Sequence, residues 1–125
     1  MKKAVTIICL LAVSLLLAGC GQATPEERFL SHWEKIVALI NENKNDPAKA
    51  RAAVKSYLDA NLAEMKTLAG QFGQEASQKI AQNPDFIDRV IKIVDTIENL
   101  KKTNPSLVDD PQLAQAYQPL SDLTK

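Results

Sequence analysis

Apolar residues along this chain come first as one unbroken run and then as spaced stripes. From Ala4 to Ala18 nearly every position is apolar, with only Thr6 and Ser14 interrupting. Beyond Thr24 the spacing becomes helical. Phe29, Trp33, Ile36, Val37 and Ile40 recur three or four residues apart, which predicts an amphipathic helix from about Pro25 to Glu42 that buries them. The polar run Asn41 to Asn45 ends it. A second helix is predicted from Pro47, with Val54, Leu58, Leu62, Met65, Ala69 and Phe72 on one face. A third starts near Pro84 and closes at Lys101 and Lys102, two cations suited to the negative end of the helix dipole. Its stripe is Phe86, Val90, Ile93, Ile97 and Leu100, and Asp85–Arg89, Asp88–Lys92 and Glu98–Lys102 are spaced as i,i+4 pairs on its outer face. From Ser106 the chain reads as loop, followed by a short helix from Pro111 to about Gln118 carrying Leu113 and Tyr117.

Proline punctuates these stretches. Thr24-Pro25, Asp46-Pro47, Asn83-Pro84 and Asp110-Pro111 each pair an N-cap residue with a proline fit for the first helical position. Thr24 and Glu27 have the spacing of a capping box. The intervals between these signals disagree, so they read as recurrent helix caps rather than an internal repeat. No segment alternates with period two. The predicted class is therefore all-α: a small antiparallel bundle of three main helices plus a short C-terminal helix, occupying residues 25–125.

Two features leave the architecture open. Ala76 and Ile80 continue the phase of Phe72, so one helix from Pro47 to Gln82 would be about 54 Å long, twice its neighbours. Gly70 and Gly73 would together cost about 2 kcal/mol inside it, which favours a break there that lets the chain fold back. A break with positive φ at either glycine makes alanine destabilising; a continuous helix makes it stabilising. The second feature is the third helix, where Ile87, Ile91 and Val94 add a stripe beside the first. An apolar arc that wide suits a central helix gripped by the first, the second and the C-terminal segment. It also suits a ridge or groove that receives a partner's amphipathic helix, with Ile87, Ile91 and Val94 as candidate contact residues.

The N-terminal run has a different purpose. Lys2 and Lys3 precede about 15 apolar residues, roughly 22 Å as a helix against a bilayer core of about 30 Å. That length suits the h-region of a secretory signal better than a membrane span. The run ends in Leu17-Ala18-Gly19-Cys20, which resembles the lipobox of bacterial lipoproteins. The resemblance implies a signal peptide over residues 1–19, cleavage before Cys20, a diacylglycerol on its thiol and acylation of the freed amine. A cysteine suits that junction because its thiol is the side chain most readily alkylated near neutral pH. One acyl chain anchors only marginally; two or three make attachment effectively permanent. Residues 20–24 would be the lipidated cysteine and a short tether holding the domain against the membrane. Gly21, where an aspartate would favour inner-membrane retention in that family, implies the outer membrane facing the periplasm in a diderm source.

Composition narrows the chemistry further. Cleavage removes Cys9 and acylation consumes Cys20, so a mature chain has no thiol for a disulfide, a metal or a nucleophile. Loss of Lys2 and Lys3 leaves a slight acidic excess, which gives no electrostatic footprint for nucleic acid. His32 is the sole histidine and has no companion at metal-ligand spacing. Met65 opposite His32 is a conceivable haem pair, but a methionine among helical leucines belongs in a core. Asp109-Asp110 reads as cap and dipole complement of the last helix rather than a catalytic dyad. Neither a nucleophile elbow nor a phosphate loop is present. No enzyme, cofactor or metal is therefore expected. The expectation is a lipid-anchored helical module making protein–protein contacts at the bacterial cell envelope. A pilotin-like carrier, similar in size, anchor and helix count, is the alternative, and a small-ligand or enzymatic domain using the bundle interior is a third.

Overall fold

The computed structural model describes residues 23–124, so the signal segment and Cys20 lie outside the described residues. Each cap-proline pair opens a helix: α1 (Pro25–Glu42), α2 (Pro47–Gly70), α4 (Pro84–Thr103) and α6 (Pro111–Ser121). Short α3 (Ala76–Ala81) and α5 (Pro105–Val108) lie between them, and a 3-10 turn spans Asp122–Thr124. No strand occurs among the described residues. The protein is an all-α bundle.

Local chemistry explains the helix starts. The Thr24 hydroxyl accepts from the Glu27 amide at 3.2 Å while the Glu27 carboxylate accepts from the Thr24 amide at 3.0 Å, closing the expected box. Asp46, Asn83 and Asp110 accept from the amides of Lys49, Phe86 and Gln112 at 3.2, 3.1 and 2.9 Å. The segment expected as loop after Ser106 instead contains α5, one helical turn begun by Pro105 that buries Leu107.

The break between α2 and α3 is present, but neither glycine takes a left-handed φ and neither has an atom within 4 Å of where a Cβ would sit. Gly70 closes α2, and the chain turns through bonds from the Gln71 and Phe72 amides to the Leu68 and Ala69 carbonyls. Phe72 then meets Phe29 edge-on, with ring centroids 5.3 Å apart. Loss of helix propensity at Gly70 and this aromatic contact, rather than a positive φ, accompany the turn.

Pairwise contacts give the topology. Asn83 donates to Glu27 at 3.2 Å and Asn104 to the Lys44 carbonyl at 3.2 Å, so α4 runs parallel to α1. Arg51, near the start of α2, holds Asp110 at the start of α6 at 2.6 Å. The helices thus run up, down, up and down, in the spatial order α4, α1, α2, α6, with α1 and α2 in the middle. The core cluster is built by Ile36 of α1, by Ala50, Val54, Leu58 and Met65 of α2, and by Leu107, Leu113 and Leu120 from the C-terminal part.

Core membership differs from the expected stripes. Phe29, Trp33, Ile40 and Leu62 pack half-buried at the edge of the cluster, and Phe72 is 39% exposed. Leu30, Ala50 and Leu68 are buried in addition. The third predicted helix is not gripped from three sides. α4 packs mainly on α1, and of its apolar residues only Leu100 is fully buried; Phe86, Val90, Ile93 and Ile97 are half-buried.

Candidate contact surface

α4 is fastened to α1 by polar as well as apolar contacts. The Arg89 guanidinium donates to both carboxylate oxygens of Glu34, at 2.7 and 2.8 Å, and to the Ser31 hydroxyl at 2.8 Å. The expected Asp85–Arg89 pair gives way to this fork, because a bidentate bond to a carboxylate on α1 offers better geometry than a solvated neighbour one turn away. Arg89 holds the Glu34 carboxyl below its ordinary value, and Glu34 in turn raises Arg89.

With Arg89 turned inward, the opposite face of α4 is left to solvent. Ile87, Ile91 and Val94 are 40%, 50% and 47% exposed and form an unbroken i, i+4, i+7 row. The structure brings these three sequence-predicted residues together on one surface. Cys20, the predicted lipidation site, lies outside the described residues.

The other side of α4 borders a cleft. Because α6 packs on α2 rather than on α4, the fourth side of the bundle is open toward its upper end. There Trp33, Ile36 and Ile40 form a floor, Ile97 of α4 one wall and Tyr117 of α6 the other, enclosing about 210 Å³ with an almost wholly apolar lining. Val37, Leu100, Val108 and Leu113 complete it. Sequence periodicity assigned most of these residues to helices but not to a shared cavity, since the cavity depends on which helices leave a gap.

The remaining candidates for chemistry are absorbed into structure. His32 is buried, its Nδ1 sharing a 2.7 Å hydrogen bond with the Tyr57 hydroxyl and its Nε2 standing 3.6 Å from a Glu64 carboxylate oxygen. Glu64 also pairs with Arg28, so the four residues stitch α1 to α2. Burial, then the charge of Glu64, pushes the Tyr57 phenol above its ordinary value. Tyr57 and Glu64 were not singled out in the sequence; their seven-residue spacing puts them on one face of α2, but nothing local says that His32 lies opposite. Met65 is fully buried in the apolar core. Asp110 caps α6 and pairs with Arg51, and first the Gln112 amide, with the Arg51 guanidinium adding, holds its carboxyl below the usual range; Asp109 is exposed. Among the described residues no group of three or more His, Cys, Asp or Glu could hold a metal ion. No helix among them is long and apolar enough to cross a membrane.

No protein family, curated protein or solved structure matches the chain. The surface must be read from its own chemistry.

Proposed function

We propose that this protein is a lipid-anchored, non-enzymatic helical module that makes protein–protein contacts at the bacterial cell envelope, facing the periplasm from the outer membrane in a diderm source. The observation that carries the contact reading is the row Ile87, Ile91 and Val94. Large aliphatic side chains scattered singly on a surface need no explanation, but a contiguous apolar row rimmed by polar residues marks a site of interaction. The anchor reading rests on Leu17-Ala18-Gly19-Cys20 and the run before it. A tether of about four residues reaches about 14 Å, which confines any contact to partners close to the membrane.

The two parts are tested separately in cells. Mass spectrometry of the mature protein is expected to find an acylated N-terminus at Cys20, and Cys20→Ser to leave the precursor uncleaved; a free thiol at Cys20 overturns the anchor. A photo-crosslinking residue at Ile91 is expected to give one discrete adduct, while the same residue at Lys55, exposed on α2, gives none. No adduct at Ile91 overturns the contact reading.

A further inference from the structure

The exposed row on α4 and the apolar cleft are one surface. At about 100° per residue, Val90 and Ile97 fall between the α1-facing Ile93 and Leu100 and the outward Ile87, Ile91 and Val94. Ile97 lines the cleft, so the apolar strip runs from the cleft around the side of α4 without a polar interruption. The neighbouring helices differ in length, and α6 packs on α2 rather than on α4. α4 has 20 residues, about 30 Å, whereas α6 has 11, about 16 Å. α6 shares the cleft with Ile97 and Leu100 at the C-terminal end of α4, whereas the N-terminal half meets α1 and the short α3.

The far edge of the strip is charged. Asp88 and Asp95 lie one step beyond Ile91 on the wheel, and Glu98 closes the row one turn after Val94. All three are exposed, and none forms an ion pair among the described residues. Asp85 lies further round, with Lys92 between it and Asp88; Lys102, one turn after Glu98, falls on the same edge at the C-terminal end of α4, beyond the row Ile87, Ile91 and Val94. Arg89, the i+4 neighbour of Asp85, lies on the α1 side of the helix and is committed to Glu34.

We infer that this strip receives an amphipathic helix of a partner protein, about three to four turns long, whose apolar face is flanked by lysine or arginine. The inference rests on the contact reading above and adds the chemistry of the partner. One or two large apolar side chains of that helix fill the cleft beside Trp33, and its cations meet Asp88, Asp95 and Glu98. Charge argues against the other occupants. A second copy docked antiparallel, row against row, sets the two acidic edges against each other. An anionic lipid surface is repelled by the same edge.

Two 14-residue peptides with the same leucine face, one with lysine flanks and one with glutamate flanks, test this against the full chain in phosphatidylcholine nanodiscs. Trp33, the sole tryptophan, lines the cleft and reports occupancy by its emission. The lysine peptide is expected to shift that emission to shorter wavelength saturably and to bind at least about tenfold more tightly than the glutamate peptide. Ile91→Asp, at a half-exposed position, is expected to abolish binding while preserving helicity, and Asp88→Lys with Asp95→Lys to invert the preference. Equal binding of the two peptides, or no response of Trp33 to either, overturns the inference. So does a dimer that Ile91→Asp separates, or a preference for phosphatidylglycerol nanodiscs in place of the peptide. A discrete crosslink at Ile91 together with indifference to peptide charge would keep the contact reading and reject this one.

Discussion

At the scale of single residues, charge placement decides how α4 is held. Arg89 had Asp85 one turn away on its own helix and Glu34 across the interface, and the fork to Glu34 turns that side of α4 toward α1. Because Glu34 titrates below its ordinary value of 4.5 in the folded protein, the unfolded chain binds more protons in acid. The pair's contribution is therefore present in full above that value and lost as pH falls through the folded one. Glu34→Gln is expected to lower stability by about 0.5–1 kcal/mol at pH 7, a modest figure because both side chains are partly solvated. Thermal melts of wild type and variant should converge as pH drops below that value; a gap unchanged down to pH 3 would mean that the pair acts through packing. The sequence displayed the titratable groups, but Glu34 is 55 residues from Arg89 and no local spacing links them.

Elements obey shorter-range rules, and there the sequence was most legible. A cap residue before a proline opens four helices, since the amides that need capping and the side chain that caps them lie within three residues of one another. The glycine break was legible in position but not in kind. With ordinary φ and open space at both glycines, alanine meets no clash. Gly70→Ala, at the last helical position of α2, is expected to stabilise the protein by up to about 1 kcal/mol. Gly73→Ala, outside any helix, should change stability by less than about 0.5 kcal/mol. Urea titrations measure both, and a loss at Gly70 would show that the turn needs glycine after all. α5 also opens on an Asn-Pro pair, Asn104-Pro105, but without a side-chain cap bond, and its single turn is too short to add a period to that signal.

For the molecule as a whole, the question is which of two apolar stripes on α4 is covered. Leu100→Ala is expected to cost about 2–5 kcal/mol, because its side chain is enclosed and leaves a cavity. Ile91→Ala should cost under about 1 kcal/mol, as half of that side chain already faces water. Equal losses at the two positions would mean that the exposed row is buried in solution. The sequence by itself determined the helical class, the helix starts, the width of the apolar arc on α4 and the lipobox-like junction at Cys20, all of which are patterns among near neighbours. Only the tertiary structure decided that α1 and α2 take the centre, that α4 stands at an edge and that α6 packs on α2 rather than beside α4. Those outcomes depend on how helices of unequal length meet across tens of residues, so no local period records them. The row Ile87, Ile91 and Val94 has the period of a core stripe, and in this packing it is surface.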